Sequence, residues 1–172
     1  DRLNDLYLIK YDVKASISHA KMLYRSNLLS EIECDKIINI LNEILSQAEA
    51  GELKIEKEFE DMHSKIEYIL TDKLGDIGKK IHTARSRNDQ VLVSIQLYLI
   101  DELNFIKTEV KSLFDLLINL AKKNKNIIMP GYTHMRAAMP SSFGLWFSAY
   151  AEILIDDVIS LNSTIEIINQ NT

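Results

Sequence analysis

A single cysteine, two prolines and five glycines occur among the 172 residues of this chain. Each shortage excludes something. Cys34 has no partner for an internal disulfide, so the fold stands on packing, and a reducing compartment is the natural reading. With 20 basic against 25 acidic side chains and a formal charge of −5, the chain lacks the basic excess that a nucleic-acid partner requires. No apolar run approaches the roughly 20 residues of a membrane span, and the first residues lack the basic-then-apolar pattern of a secretory signal. The breakers are also sparse in placement: between Gly78 and Pro130 there is neither glycine nor proline. A chain so poor in turn residues is read as all-α. The composition, 47% hydrophobic and 26% charged, is that of a soluble globular protein and excludes a disordered one.

Helical periodicity supplies the elements. Leu6, Ile9, Val13, Ile17, Ala20 and Leu23 recur at helix spacing within residues 6–29. Ser30 and Glu33 stand in a capping-box relation, opening a helix through Ile37, Leu41 and Ile44 that ends near Gly51. A shorter helix is expected from Asp61 to Leu74, stopped by Gly75. Gly78 to Asn88 is polar, cationic and without apolar periodicity. Beyond Asp89, Leu99, Leu103, Ile106, Val110, Leu113, Leu117 and Leu120 alternate spacings of four and three, a heptad seam on a helix roughly 50 Å long. Pro140 suits a first helical turn, and a last helix is expected to begin there. Its apolar face includes Phe143, Phe147, Tyr150, Leu154 and Val158, with Trp146 expected in a bundle core or subunit interface. Two such helices cannot cover each other's seams, so further helices or other subunits are expected to complete the bundle.

Three constellations could carry chemistry. In His82-Thr83-Ala84-Arg85-Ser86-Arg87-Asn88-Asp89, two guanidiniums, two hydroxyls and a carboxamide crowd the start of a long helix. Arginine forks match carboxylates, and a helix N-terminus adds free N–H groups and a favourable dipole. Such a group suits a small dicarboxylate; ordinary capping by Ser86, Asn88 or Asp89 accounts for it equally. Met129 to Arg136 lies in a loop of about ten residues between long helices, more than a tight connection needs. Within it His134 can exchange a proton near neutrality and Thr133 can hold a substrate oxygen, unless the histidine merely caps a carbonyl. In Glu60-Asp61-Met62-His63, the acid at a helix start has a purely local cause. The spacing of Asp61, His63, His82 and His134 is not that of a metal site, and His19 is read as a surface or packing residue.

In this order, the three motifs resemble the argininosuccinate lyases of the fumarase/aspartase superfamily. The resemblance spans nearly the whole chain, from Asp12-Val13 and Ser18-His19-Ala20-Lys21-Met22-Leu23, through Glu60 to His63 with Ile66-Glu67, to His82–Val91 and Gly131-Tyr132-Thr133-His134. The His-Thr-Ala-Arg-Ser-Arg-Asn-Asp string separates these lyases from fumarases and adenylosuccinate lyases. The resemblance implies reversible cleavage of argininosuccinate to arginine and fumarate, in the cytoplasm, by a homotetramer whose sites draw on several subunits. It implies that Ser86, Arg87 and Asn88 bind the carboxylates of the succinyl half. Thr133 would hold the substrate beside the catalytic His134, as acid, base or partner of either, and Asp61 and His63 would line the same pocket. No metal or organic cofactor is implied. After the histidine, the family's Leu-Gln-Arg-Ala-Gln-Pro is replaced by Met135-Arg136-Ala137-Ala138-Met139-Pro140, so the contacts supporting the histidine differ.

The expected organisation is a small N-terminal helical domain over residues 1–86, its start missing, with residues 87–172 as the incomplete beginning of a central bundle of long antiparallel helices. A first residue Asp1 and an apolar pattern running almost to Thr172 read as a partial chain. The implied proton-transfer serine, in a mobile loop far downstream, lies outside it, so the chain alone is expected to be inactive. Three alternatives stand beside this reading: a lyase acting on another fumarate adduct, an enzyme-derived structural protein of the delta-crystallin kind, and a helical interaction module using the heptad seam.

Overall fold

A computed structural model describes residues 2–170. Among the described residues the elements are helices apart from one two-stranded hairpin, so the all-α class holds with that local exception. It divides into two compact units, Asp1–Tyr98 and Leu99–Thr172, and one long helix belongs to both.

In the first unit, a one-turn helix α1 (Arg2–Asp5) and a 3₁₀ turn (Leu6–Leu8) lead into α2 (Ile9–Arg25). Asn27, at φ +58°, ends α2 in a left-handed C′ position. The N–H groups of Asn27 and Leu28 return to the carbonyls of Tyr24 and Leu23, satisfying two helix-end acceptors. α3 (Glu31–Glu49) starts with the capping box its sequence announces: Ser30 Oγ accepts from Glu33 N–H, and Glu33 Oε2 accepts from Ser30 N–H at 2.9 Å. Gly51, at φ +72°, closes α3 in the same left-handed manner. α4 (Met62–Leu74) is capped by Asp61, whose Oδ1 accepts from the Ser64 N–H at 2.7 Å.

The core of this unit is one contiguous apolar cluster. It joins Ile9, Val13, Ala20 and Leu23 of α2 to Ile37, Leu41 and Ile44 of α3 and to Met62, Ile66 and Leu70 of α4. Each fully buried side chain of this size stabilises the fold by about 1.5–3 kcal/mol. The short α5 (Asp76–Lys79) lies so close to α4 that a Cβ on Gly78 would meet the Leu70 carbonyl oxygen at 2.2 Å. That approach lets the following 3₁₀ turn (Lys80–His82) bury Ile81 in the core and deliver the chain to α6 (Arg87–Asn124). The stretch expected to be irregular from Gly78 onward is thus two short helical turns and a four-residue link. α6 begins at Arg87, three residues earlier than its apolar pattern suggests.

In the second unit, the remainder of α6 runs antiparallel to α7 (Phe143–Ile168). Gly144 lies against Ala121 and Lys125, while Lys107 Nζ donates to Asn162 Oδ1 at 2.7 Å towards the other end. Between them is a groove of about 550 Å³ whose apolar lining includes Val110, Phe114, Leu154 and Val158. The heptad seam is only partly covered: Ile106 and Leu113 are each 46% exposed, and Trp146 is 44% exposed rather than enclosed in a core.

The connection between α6 and α7 corrects two expectations. It is not an irregular loop but an antiparallel hairpin of β1 (Ile128–Thr133) and β2 (Arg136–Ser142). Pro140 does not begin a helix; it pairs with Pro130 inside the hairpin, and α7 starts at Phe143 under a Ser142 cap. Proline is tolerated in a two-stranded ribbon because both strands are edges, where a missing donor costs no ladder bond.

Candidate active site

A polar nucleus lies inside the first unit, where α2, α4 and the start of α6 meet. Asp12 and Ser16 lie on the inward face of α2, and both are fully buried with Gln90 and Ser94 of α6 and His63 of α4. Asp12 Oδ1 accepts from Gln90 Nε2 at 2.9 Å. The same oxygen stands 3.2 Å from His63 Nδ1, an electrostatic contact whose angle falls short of an aligned hydrogen bond. Ser94 Oγ donates to the Gln90 carbonyl at 2.9 Å. Arg85 turns inward and donates from Nη1 to Ser16 Oγ at 3.2 Å. Burial lowers the pKa of Arg85 from its ordinary value, opposed by the charge of Asp12. A buried carboxylate among buried donors is the arrangement that makes such a charge tolerable.

The N-terminus of α6 is built on Ser86. Its Oγ accepts from the Asn88 N–H at 3.0 Å, and its own N–H donates to Asp89 Oδ2 at 2.9 Å, a reciprocal cap. Ala84, at φ +57°, turns the chain just ahead of it. Capping and ligand binding are compatible here, since Ser86 and Asn88 remain exposed. Arg87 is only partly exposed: Nη2 donates to Glu67 Oε1 of α4 at 2.6 Å, and Nη1 donates to Gln90 Oε1 at 3.2 Å. His82 Nε2 lies against the same Glu67 oxygen. Burial depresses the His82 pKa; Glu67 pulls it upward, while Arg85 and Arg87 add to the depression. His19, half-buried and 3.0 Å from the Thr83 carbonyl, is also depressed by burial and by Arg85. Burial raises the Asp61 pKa, but the Ser64 N–H and hydroxyl, with Arg87 and His63, outweigh it, so this acid is held below its usual range.

The structure therefore places Asp61, His63, Ser86, Arg87 and Asn88 in one unit. His63 and Arg87 are joined there through Asp12 and Gln90, while Ser86 and Asn88 stand exposed at the helix end. Thr133 and His134 belong to the second unit, at the tip of the hairpin. Thr133 pairs with Arg136, leaving His134 and Met135 as a two-residue turn at φ +45° and +65°. A turn with both residues left-handed normally uses Asn-Gly; two ordinary side chains there each cost about 1–2 kcal/mol. Backbone strain of this kind concentrates at functional sites. Both residues project from an exposed tip.

Sequence reasoning did not single out Asp12, Ser16, Glu67, Gln90 or Ser94 for roles in a site. Their signal was present: Asp12 and Ser16 follow Ile9 by three and seven residues, which puts polar groups on the buried stripe of α2. Gln90 and Ser94 repeat the pattern four residues apart on α6.

Among the described residues, no helix is long and apolar enough to cross a membrane. A family model described as lyase matches residues 2–171. The argininosuccinate lyase of Phocaeicola vulgatus is 50% identical over 171 residues, covering 99% of this chain and 38% of that protein. The argininosuccinate lyase of Thermotoga neapolitana is 46% identical over 171 residues, covering 99% of this chain and 43% of that protein. Among solved structures, an EDDS lyase in complex with formate matches with a TM-score of 0.83 at 23% identity, over 96% of this chain and 32% of its own. A fumarate lyase:delta crystallin from Brucella melitensis matches with a TM-score of 0.78 at 18% identity, over 96% of this chain and 42% of its own. At those identities the structural likeness shows the fold alone. The chain spans about a third to two fifths of the length of these relatives. It belongs to the lyase family, with argininosuccinate lyases as relatives about half identical to it along almost its entire length.

Proposed function

We propose that this chain acts within a full-length argininosuccinate lyase, which cleaves argininosuccinate reversibly to arginine and fumarate in the cytoplasm. The observation that carries the reading is the 171-residue likeness at 50% identity, with the Arg85-Ser86-Arg87-Asn88 string standing at the capped N-terminus of a long helix. In the elimination, a base removes a proton from the carbon next to a carboxylate. The electron pair then forms the fumarate double bond as the carbon–nitrogen bond breaks, and an acid protonates the departing guanidinium nitrogen. The doubly charged aci-carboxylate needs fixed positive donors. Ser86, Arg87, Asn88 and the free N–H groups of α6 supply them from the first unit.

Thr133 and His134 serve substrate holding and proton transfer from the second unit, and Asp61 and His63 contribute to the pocket. The exposed seams of α6 and α7 are those of a homotetramer's central bundle. The chain by itself holds motifs rather than a complete site, and is inactive alone. The test is the ultraviolet absorbance of fumarate, followed with argininosuccinate and a panel of other fumarate adducts. Full-length protein turning over argininosuccinate, with none from the 172-residue chain, supports the reading. Preference for another adduct, or turnover by the isolated chain, contradicts it.

A further inference from the structure

The buried amide of Gln90 touches both halves of the polar network in the first unit. It is 1% exposed. Its Nε2 donates to Asp12 Oδ1, the oxygen facing His63, and its Oε1 accepts from Arg87 Nη1. An amide has one donor end and one acceptor end, and a flip would set a carbonyl against a carboxylate and an NH₂ against a guanidinium. Its orientation is therefore enforced from both sides. Arg87 is gripped at two points, by Glu67 on one nitrogen and Gln90 on the other. Those two contacts hold the fork's direction at the start of α6.

We infer that Gln90 is a positioning residue: acting through Arg87, it sets the guanidinium for the carboxylate of the substrate and couples that setting to the buried Asp12–His63 pair. This rests on the proposed role of Arg87 in holding a carboxylate. The charged groups around the amide are Asp12 on α2, His63 and Glu67 on α4, and Arg85 and Arg87 at the start of α6. Removing a hydrogen bond to a charged group is worth about tenfold or more in affinity.

The test is steady-state kinetics of the full-length enzyme with argininosuccinate. Gln90→Met keeps the volume and loses both ends; KM is expected to rise about tenfold or more, with kcat changed about threefold at most. Gln90→Glu keeps an acceptor for Arg87 but sets a carboxylate against Asp12, so its KM is expected to rise less than that of Gln90→Met. In an Arg87→Met background, Gln90→Met is expected to change KM little further, because the two act as a unit. Unchanged KM in Gln90→Met, equal KM rises in the Met and Glu variants, or full additivity with Arg87→Met overturns the role. Loss of kcat alone overturns it too, as that is what merely structural damage produces. Should Gln90→Met not fold, Gln90→Asn, which keeps the amide but shortens its reach to Arg87, decides through the inhibition constant of succinate: weakening beyond about threefold supports the role, and retention within about threefold overturns it. If wild-type enzyme shows no turnover, the proposed activity itself fails and takes this role with it; turnover with a failed variant pattern removes only the role.

Discussion

Replacing Asp12 by alanine strikes the polar nucleus at its centre, and the cost can be worked from the contacts. The carboxylate is fully buried, with Gln90 Nε2 at 2.9 Å and His63 Nδ1 at 3.2 Å on one oxygen, and it offsets the charge of Arg85. Its loss leaves the Gln90 amide donor without an acceptor, at about 1–3 kcal/mol for a buried group. It also leaves Arg85, partly buried and bonded to Ser16, without the carboxylate charge that most favours its charged form. Ser94 is spared, because its hydroxyl already donates to the Gln90 carbonyl. Breaking a buried charged pair from one side typically costs about 3–5 kcal/mol, and a loss of that order is expected here. Asp12→Leu is expected to do no better, since the stranded partners remain. Asp12→Asn keeps an acceptor of the same shape and is expected to cost about 1–3 kcal/mol. Urea denaturation followed by far-UV circular dichroism measures the differences, read as midpoint shifts at constant slope. A loss below about 1 kcal/mol for Asp12→Ala, or Asp12→Leu matching wild type, would show that these buried partners do not depend on the Asp12 carboxylate.

Two further predictions concern the same unit. Gly78→Ala places a Cβ 2.2 Å from the Leu70 carbonyl oxygen; with backbone on both sides of the clash, a loss of about 3 kcal/mol is expected, read from the thermal midpoint, and an unchanged midpoint refutes the close approach. On acidification, stability is expected to fall in two windows. His19 and His82 have folded pKa values below their usual 6.5, so below that pH the unfolded chain takes up protons that the folded chain resists, and stability declines. Glu33, held down to about 2 by Lys80 and by Ser30, contributes stability above its usual 4.5 that is lost as pH falls from there towards 2. A thermal midpoint flat between pH 7 and 5.5 would contradict the histidine part.

What the sequence disclosed and what it hid divide along physical lines. Ser30 with Glu33, Gly51, Asp61 and Gly75 were legible because caps are local chemistry, decided within four or five residues. The core stripes of α2, α3 and α4 were legible because apolar residues at helix spacing form one face that must be buried. The hairpin was not, because Pro130 and Pro140 argue against strands, and His134-Met135 carries none of the glycine or asparagine that marks a two-residue turn. The site divided in the same way. Residues 82–89 stood out as a polar string, but Asp12, Gln90 and Ser94 are single polar residues on helices. Their importance is visible only once α2 and α6, separated by tens of residues, bring them to one point.

The measurement that bears most directly on the lyase reading is fumarate formation from argininosuccinate by the full-length enzyme and its His134→Asn variant. Turnover is expected from the wild type, with a loss of about 10²–10⁴-fold in kcat for the variant, the usual contribution of a general acid or base. Equal rates in both proteins would contradict the role of the hairpin histidine, and no fumarate from the wild type would contradict the activity itself.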